Sequence, residues 1–176
     1  PTPSTFAGTA RWLRQRSSGE IEARARKLPL NSWTPDYLAP FVPTADLPIA
    51  SEPDNTIRQS SLPMVQIRDA VAAANLGMTS FIDNSSSFGG TFVSEFTSYH
   101  SAWYAALHAD RADPAWTIAG GHIHVGGNTP VAAARTATQI TLRTLITHVD
   151  SIVPSPGTGM LLLPLVAHGL RRYRRR

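Results

Sequence analysis

Nine of the fourteen prolines in this 176-residue chain fall at positions 1, 3, 29, 35, 40, 43, 48, 53 and 63. Each removes a backbone donor and pushes the preceding residue out of the helical region, so the opening third cannot build a long helix or a wide sheet. One stretch escapes this restriction. Ser17 and Glu20 have capping-box spacing, and Glu20/Arg24 and Glu22/Arg26 are i,i+4 pairs in the favourable order, which predicts a short exposed helix over Ser17 to Leu28. From Pro29 to Pro63 the apolar side chains Trp33, Tyr37, Leu38, Phe41, Val42, Leu47 and Ile49 alternate with prolines. That pattern suits an extended arm laid on another surface, with Trp33, Tyr37 and Phe41 as interface anchors.

After Pro63 the pattern turns to compact structure. Ile67, Ala70, Val71 and Ala74 share a face of a helix over Met64 to Leu76, and Gly77 supplies a stop. Met78 to Asp83 and Thr91 to Thr97 read as the two strands of a hairpin. Ser98 then caps a helix over Tyr99 to Ala109, in which Trp103, at helical spacing from Tyr99 and Leu107, is a core residue. Strands follow at Ala115 to Ala119 and His122 to Val125. The longest helix opens with Thr129 as cap and Pro130 at its first position, and runs to about Val149; Val131, Ala134, Thr138, Leu142, Leu145 and Val149 form its core face. The expected fold is α+β: a small layered α/β domain over residues 64–150, preceded by the proline-rich arm of residues 1–63 and followed by an apolar linker and arginine-rich tail, residues 151–176. A barrel enzyme of about 250 residues does not fit this length.

Charge is divided by region. Arg11 to Lys27 carries six basic and two acidic residues, Leu28 to Leu170 five basic and ten acidic, and the last six residues five arginines. The body is mildly acidic between basic ends. Arg171, Arg172, Tyr173, Arg174, Arg175 and Arg176, together with Arg11, Arg14 and Arg16, form a candidate surface for RNA, acidic lipid headgroups or an acidic neighbouring subunit. Between Ser151 and Leu170 there is no charge, but Pro154, Pro156, Pro164 and His168 argue against a transmembrane span. Val153-Pro154-Ser155-Pro156, the apolar run and the final arginines resemble the tripartite sorting signal of the PEP-CTERM type, with Ser155 where that signal carries an acid.

The chain contains no cysteine, which excludes disulfides, thiolate nucleophiles and thiolate zinc sites, and leaves His and carboxylates as the possible metal ligands. Phosphate-loop, dinucleotide-fingerprint, nucleophile-elbow and HExxH patterns are all missing. The sharpest local string is Gly120-Gly121-His122-Ile123-His124-Val125-Gly126-Gly127. On a strand His122 and His124 project from one face, so two imidazoles could share a ligand or metal; His100, His108, Asp83 and Glu95 are candidates for a third ligand.

The string Gly121-His122-Ile123-His124-Val125-Gly126 is similar to the strand motif of the amidoligases, carboxylate-amine ligases with a glutamine-synthetase-like fold. It also looks like the early HxH strand of metal-dependent amidohydrolases. The amidoligase resemblance implies that Glu20 and Glu22 stand in for the family's early Glu-x-Glu metal pair, and Asp83 with Ser94 and Glu95 for its mid-chain acidic and serine motifs. It further implies ATP and Mg as cofactors, which would activate a carboxylate as its acyl phosphate for attack by an amine. The proline-rich arm and basic ends point instead to a non-enzymatic structural subunit of a large assembly, such as a capsid shell, an organellar complex or a ribonucleoprotein. Its partners would be neighbouring protein subunits and its cofactors none. A simple metal-binding module holding zinc through His124 is a third expectation.

Overall fold

The computed structural model describes residues 17–29, 32, 52–84 and 93–153. Among them are five strands and three helices: β1 Ser18–Glu22, β2 Arg24–Arg26, β3 Ile57–Gln59, α1 Met64–Ala73, β4 Thr79–Asp83, α2 Val93–Leu107, β5 His122–Val125 and α3 Val131–Ile152. The fold is the small α+β domain expected. Trp33, Tyr37, Phe41, Arg11, Arg14, Arg16 and the tail from Arg171 to Arg176 lie outside the described residues, as does the PEP-CTERM-like segment from Pro154 onward.

The segment expected to be a short helix is the middle of a sheet. β1 lies between β4, which it pairs in parallel, and β5, which it pairs antiparallel. All five of its residues are buried. Helix-surface ion pairs such as Glu20/Arg24 contribute only about 0.2–0.5 kcal/mol each, whereas burying one Ile is worth about 1.5–3 kcal/mol. Two flanking ladders and a buried Ile21 therefore outweigh the local helical signal. Ala23 then carries the chain from one sheet to the next: its N–H donates to the Asp83 carbonyl and its carbonyl accepts from the Ser60 N–H, each at 2.9 Å. Beyond it, β2 pairs antiparallel with β3. Residues 18–29 and 52–63 are thus part of the domain's own layers.

Alternation along β1 separates two faces. Ile21 meets Ile67 and Val71 of α1 and Ala137 of α3 in the main core, which Leu62, Met64, Met78, Ile123, Ile140 and Leu145 extend. A second cluster, Ala25 and Tyr99 with Trp103, joins β2 to α2. Trp103 is a core-edge residue as expected, while Leu107 is exposed.

Other elements differ from expectation in detail. β4 pairs with β1 across a long crossover, and Val93 to Thr97, expected in the second strand of a hairpin, is instead the first part of α2. The buried positions Glu95, Ser98, Tyr99, Ala102 and Ala105 recur at helical spacing, which decides for helix over the β-rich composition. Ser98 consequently sits inside α2 and caps nothing. Ala115 to Ala119 is an irregular connection rather than a strand, and Arg111 lies over its Trp116 ring at 5.1 Å. The N-cap of α3 is Pro130, without a side-chain cap bond, because the Thr129 hydroxyl accepts from the Ser18 N–H at 3.1 Å. The core face of α3 is also rotated. Val131 and Leu142 are exposed, and Ala137, Ile140 and Leu145 make the contacts, with the small Ala137 allowing close approach.

Candidate active site

Because Ile21 and Ile123 face the main core, the residues that alternate with them face the other way. The register pairs Glu20 with His124 and Glu22 with His122, while on the other side Phe81 lies opposite Glu20 and Asp83 opposite Glu22. Side chains opposite one another on neighbouring strands share a face. Residues about 100 positions apart in sequence thus converge into a patch of three carboxyls and two imidazoles, beneath α2.

The sequence-predicted residues Glu20, Glu22, His122, His124 and Asp83 are brought together; Glu95 and the two other histidines are not. Glu95 is fully buried and turned to β2, where its Oε1 accepts the Arg26 backbone N–H. His100 Nδ1 lies 3.0 Å from the Phe96 carbonyl, and His108 pairs with Asp113 at 2.7 Å. Among the described residues, the potential metal-ligating group is Glu22, His122 and His124, with one ligand atom from each lying within 4.8 Å of the others. The two imidazole centroids are 6.1 Å apart and the rings are steeply inclined.

Ser98 is the member that sequence reading missed. Its hydroxyl donates to the Glu22 carboxyl. The signal for it was present as the helical spacing of Glu95, Ser98 and Ala102, hidden by the reading of residues 91–97 as a strand. Glu22 is only 4% exposed, and its Oε2 is buried with no hydrogen-bond partner among the described residues. A buried carboxylate oxygen without a partner is costly unless something absent from the polypeptide satisfies it.

Electrostatics point the same way. Burial raises Glu20 from its ordinary 4.5 to about 8, reinforced by its hydrogen bond to Asp83 and by the charges of Asp83 and Glu22. Burial likewise raises Glu22 to about 7, with the Ser98 bond opposing and the Asp83 charge adding. His122 is pushed below its usual value by burial and then by His124, which favours the neutral, ligand-competent imidazole. Carboxyls that repel each other in a dry site are stabilised as anions when a cation enters.

The glycines that flank the His strand hold it in place. A Cβ on Gly120 would stand 2.4 Å from the Ser101 carbonyl oxygen, and one on Gly121 would stand 2.2 Å from Ser60 Oγ. Their backbone N–H groups donate to Ser61 Oγ and Ser101 Oγ, each at 2.9 Å. The close approach they permit is that of the protein's own loop and helix.

No known family model matches the sequence, and no curated protein is similar to it. Solved structures are similar in fold. A mutant pyrrolidone carboxyl peptidase from the hyperthermophile Pyrococcus furiosus has a TM-score of 0.53 at 16% identity, covering 82% of this chain and 76% of that one. The crystal structure of Pf-PCP(1-204)-C gives 0.54 at 16% identity, over 86% and 76%. At this identity the likeness is one of fold. It corrects the expectation of a non-enzymatic capsid, organellar or ribonucleoprotein subunit, because the architecture shared is that of peptidases. No helix among the described residues is long and apolar enough to cross a membrane.

Proposed function

We propose that this chain is an ATP- and magnesium-dependent carboxylate-amine ligase of the amidoligase type. One observation carries the reading: the Glu-x-Glu segment and the His-x-His-Val-Gly segment are neighbouring antiparallel strands, with Glu20 opposite His124 and Glu22 opposite His122. The resemblance rests on those two strings, and their pairing on one buried polar face supports a shared site.

The residues fit a divalent cation. Glu22 offers a buried oxygen with no partner among the described residues, and Glu20, Glu22 and Asp83 supply the hard carboxylate donors that magnesium prefers. Magnesium bound there would neutralise charge on the nucleotide phosphates. Ser98 fixes the rotamer of Glu22 through its hydroxyl, buried Glu20 hydrogen-bonds to Asp83 and keeps its proton until a cation replaces it, and the sheet's burial keeps bulk water from the reacting groups. In the overall reaction the terminal phosphoryl group of ATP passes to the substrate carboxylate. The amine nitrogen then forms the amide as phosphate leaves, and the amine's proton goes to solvent or a site base.

The test is ADP formation by the full chain given ATP, magnesium and a panel of carboxylates and amines. The reading predicts ADP only when both co-substrates are present, and its loss in Glu20→Ala and Glu22→Ala. Failure of ATP with magnesium to raise the melting temperature, together with no ADP from any pair, contradicts it.

A further inference from the structure

We infer that the outer face of α3 pairs antiparallel with the same face of a second copy of this chain, forming a two-fold dimer. Leu142, Ile146, Val149 and Val153 recur at intervals of four, three and four residues, the spacing of a coiled-coil seam. They are 54%, 60%, 37% and 40% exposed, and they lie on the side of the helix away from Ala137, which meets the core. Val153 extends the row past Ile152, since its N–H still donates to the Val149 carbonyl at 2.8 Å. Single exposed apolar residues are ordinary. Four in one line over about 18 Å of helix form a continuous apolar surface with no cover among the described residues.

Charge selects both the partner and the direction. Arg143 and Asp150 stand one heptad apart on one flank of the row, both exposed and neither ion-paired among the described residues. Two antiparallel copies can set Ile146 of each against Val149 of the other, and Leu142 against Val153, with the two-fold axis between residues 147 and 148. Arg143 of each copy then flanks the seam beside Asp150 of the other, twice by symmetry. A parallel pair would instead face Arg135, the next residue in the row toward the helix start, with its own copy, and would bring no opposite charges together. The row is therefore self-complementary in one direction only. Because it points away from the core, the bodies of the two copies lie on opposite sides of the helix pair. One helix face of this length buries less than the ~800 Å² per partner of a standard interface, so the dimer is a reversible one.

The experiment is sedimentation of the full chain from micromolar to millimolar concentration, beside thermal scans of dilute samples. The wild type should pass from monomer to dimer, and Ile146→Glu should raise the dissociation constant at least about tenfold. Arg143→Asp and Asp150→Arg should each weaken association, and the double variant, which exchanges the charges about the axis, should recover it. Dilute melting temperatures should match the wild type, since all these side chains are exposed. The chain has no cysteine, so Arg135→Cys carries one spin label per copy. Two labels should stand about 37 Å apart in the antiparallel dimer, against about 10 Å in a parallel one. A monomer at every concentration, closely spaced labels, or a double charge variant no better than the single ones overturns the inference. So does a monomer whose melting temperature falls in Ile146→Glu, because the row is then covered by its own chain. None of these readouts involves the polar face of the sheet, so the outcome is independent of the ligase reading.

Discussion

Glu20 and Glu22 are separated by one residue and differ in what surrounds them. Glu20 is buried and hydrogen-bonded to Asp83, while Glu22 is hydrogen-bonded to Ser98 and keeps one oxygen without a partner among the described residues. Because the folded chain keeps the Glu20 proton up to about pH 8 and the unfolded chain releases it near 4.5, the folded state binds more protons between those values. The stability this confers is complete below about 4.5 and lost as pH rises through 8. Denaturant midpoints measured in chelator at pH 5 and pH 8.5 should therefore be lower at the higher pH. Glu20→Gln, which cannot ionise, should flatten the difference, and equal midpoints in the wild type would contradict the assignment. Ser98→Ala removes the hydroxyl that positions Glu22. It should weaken cation binding by ~10–100-fold while leaving the fold's melting temperature little changed, as read by calorimetric titration beside a thermal scan.

Strand β1 is the element on which both the fold and the site depend. Ile21 is 1% exposed at the centre of the main core, so Ile21→Ala should cost about 2–5 kcal/mol in chemical denaturation. Gly120→Ala should also destabilise, since its new methyl would meet the Ser101 carbonyl oxygen at 2.4 Å and backbone cannot yield as a side-chain tip can. Recovery of wild-type stability in that variant would contradict the packing described for β5. The same strand explains how much of the molecule was legible in sequence. Met64 to Ala73, Thr79 to Asp83 and His122 to Val125 were readable because their periodicities are local. Ser18 to Glu22 was misread because its capping-box and ion-pair signals are local too, whereas the ladders and core that override them come from residues about 60 and 100 positions away. The face of α3 escaped for a related reason: Val131 and Leu142 look like core by composition, and only the approach of α1 selects Ala137 and Ile140 instead. Of the site, the histidine pair was visible as a string with Asp83 among several candidates for a further ligand, and the glutamate pair entered as site residues only through the family resemblance. Their convergence was not visible, because register is a property of the folded sheet.

At the scale of the whole molecule, the sheet divides the chain's chemistry. One face buries Ile21 and Ile123 against α1 and α3, and the other gathers carboxyls and imidazoles under α2. Likeness in fold to solved peptidase structures corrects the expectation of an assembly subunit, and the polar face holds the residues of the proposed site. The central claim is that Glu20 and Glu22 act on one and the same cation. A calorimetric titration of manganese, as a stand-in for magnesium, into the full chain, Glu20→Gln, Glu22→Gln and the double variant tests it most directly. If the two side chains share an ion, each single variant loses most of the affinity and the double variant loses little more, a strong departure from additivity. Independent, additive losses, or a double variant that binds as the wild type does, would contradict the account.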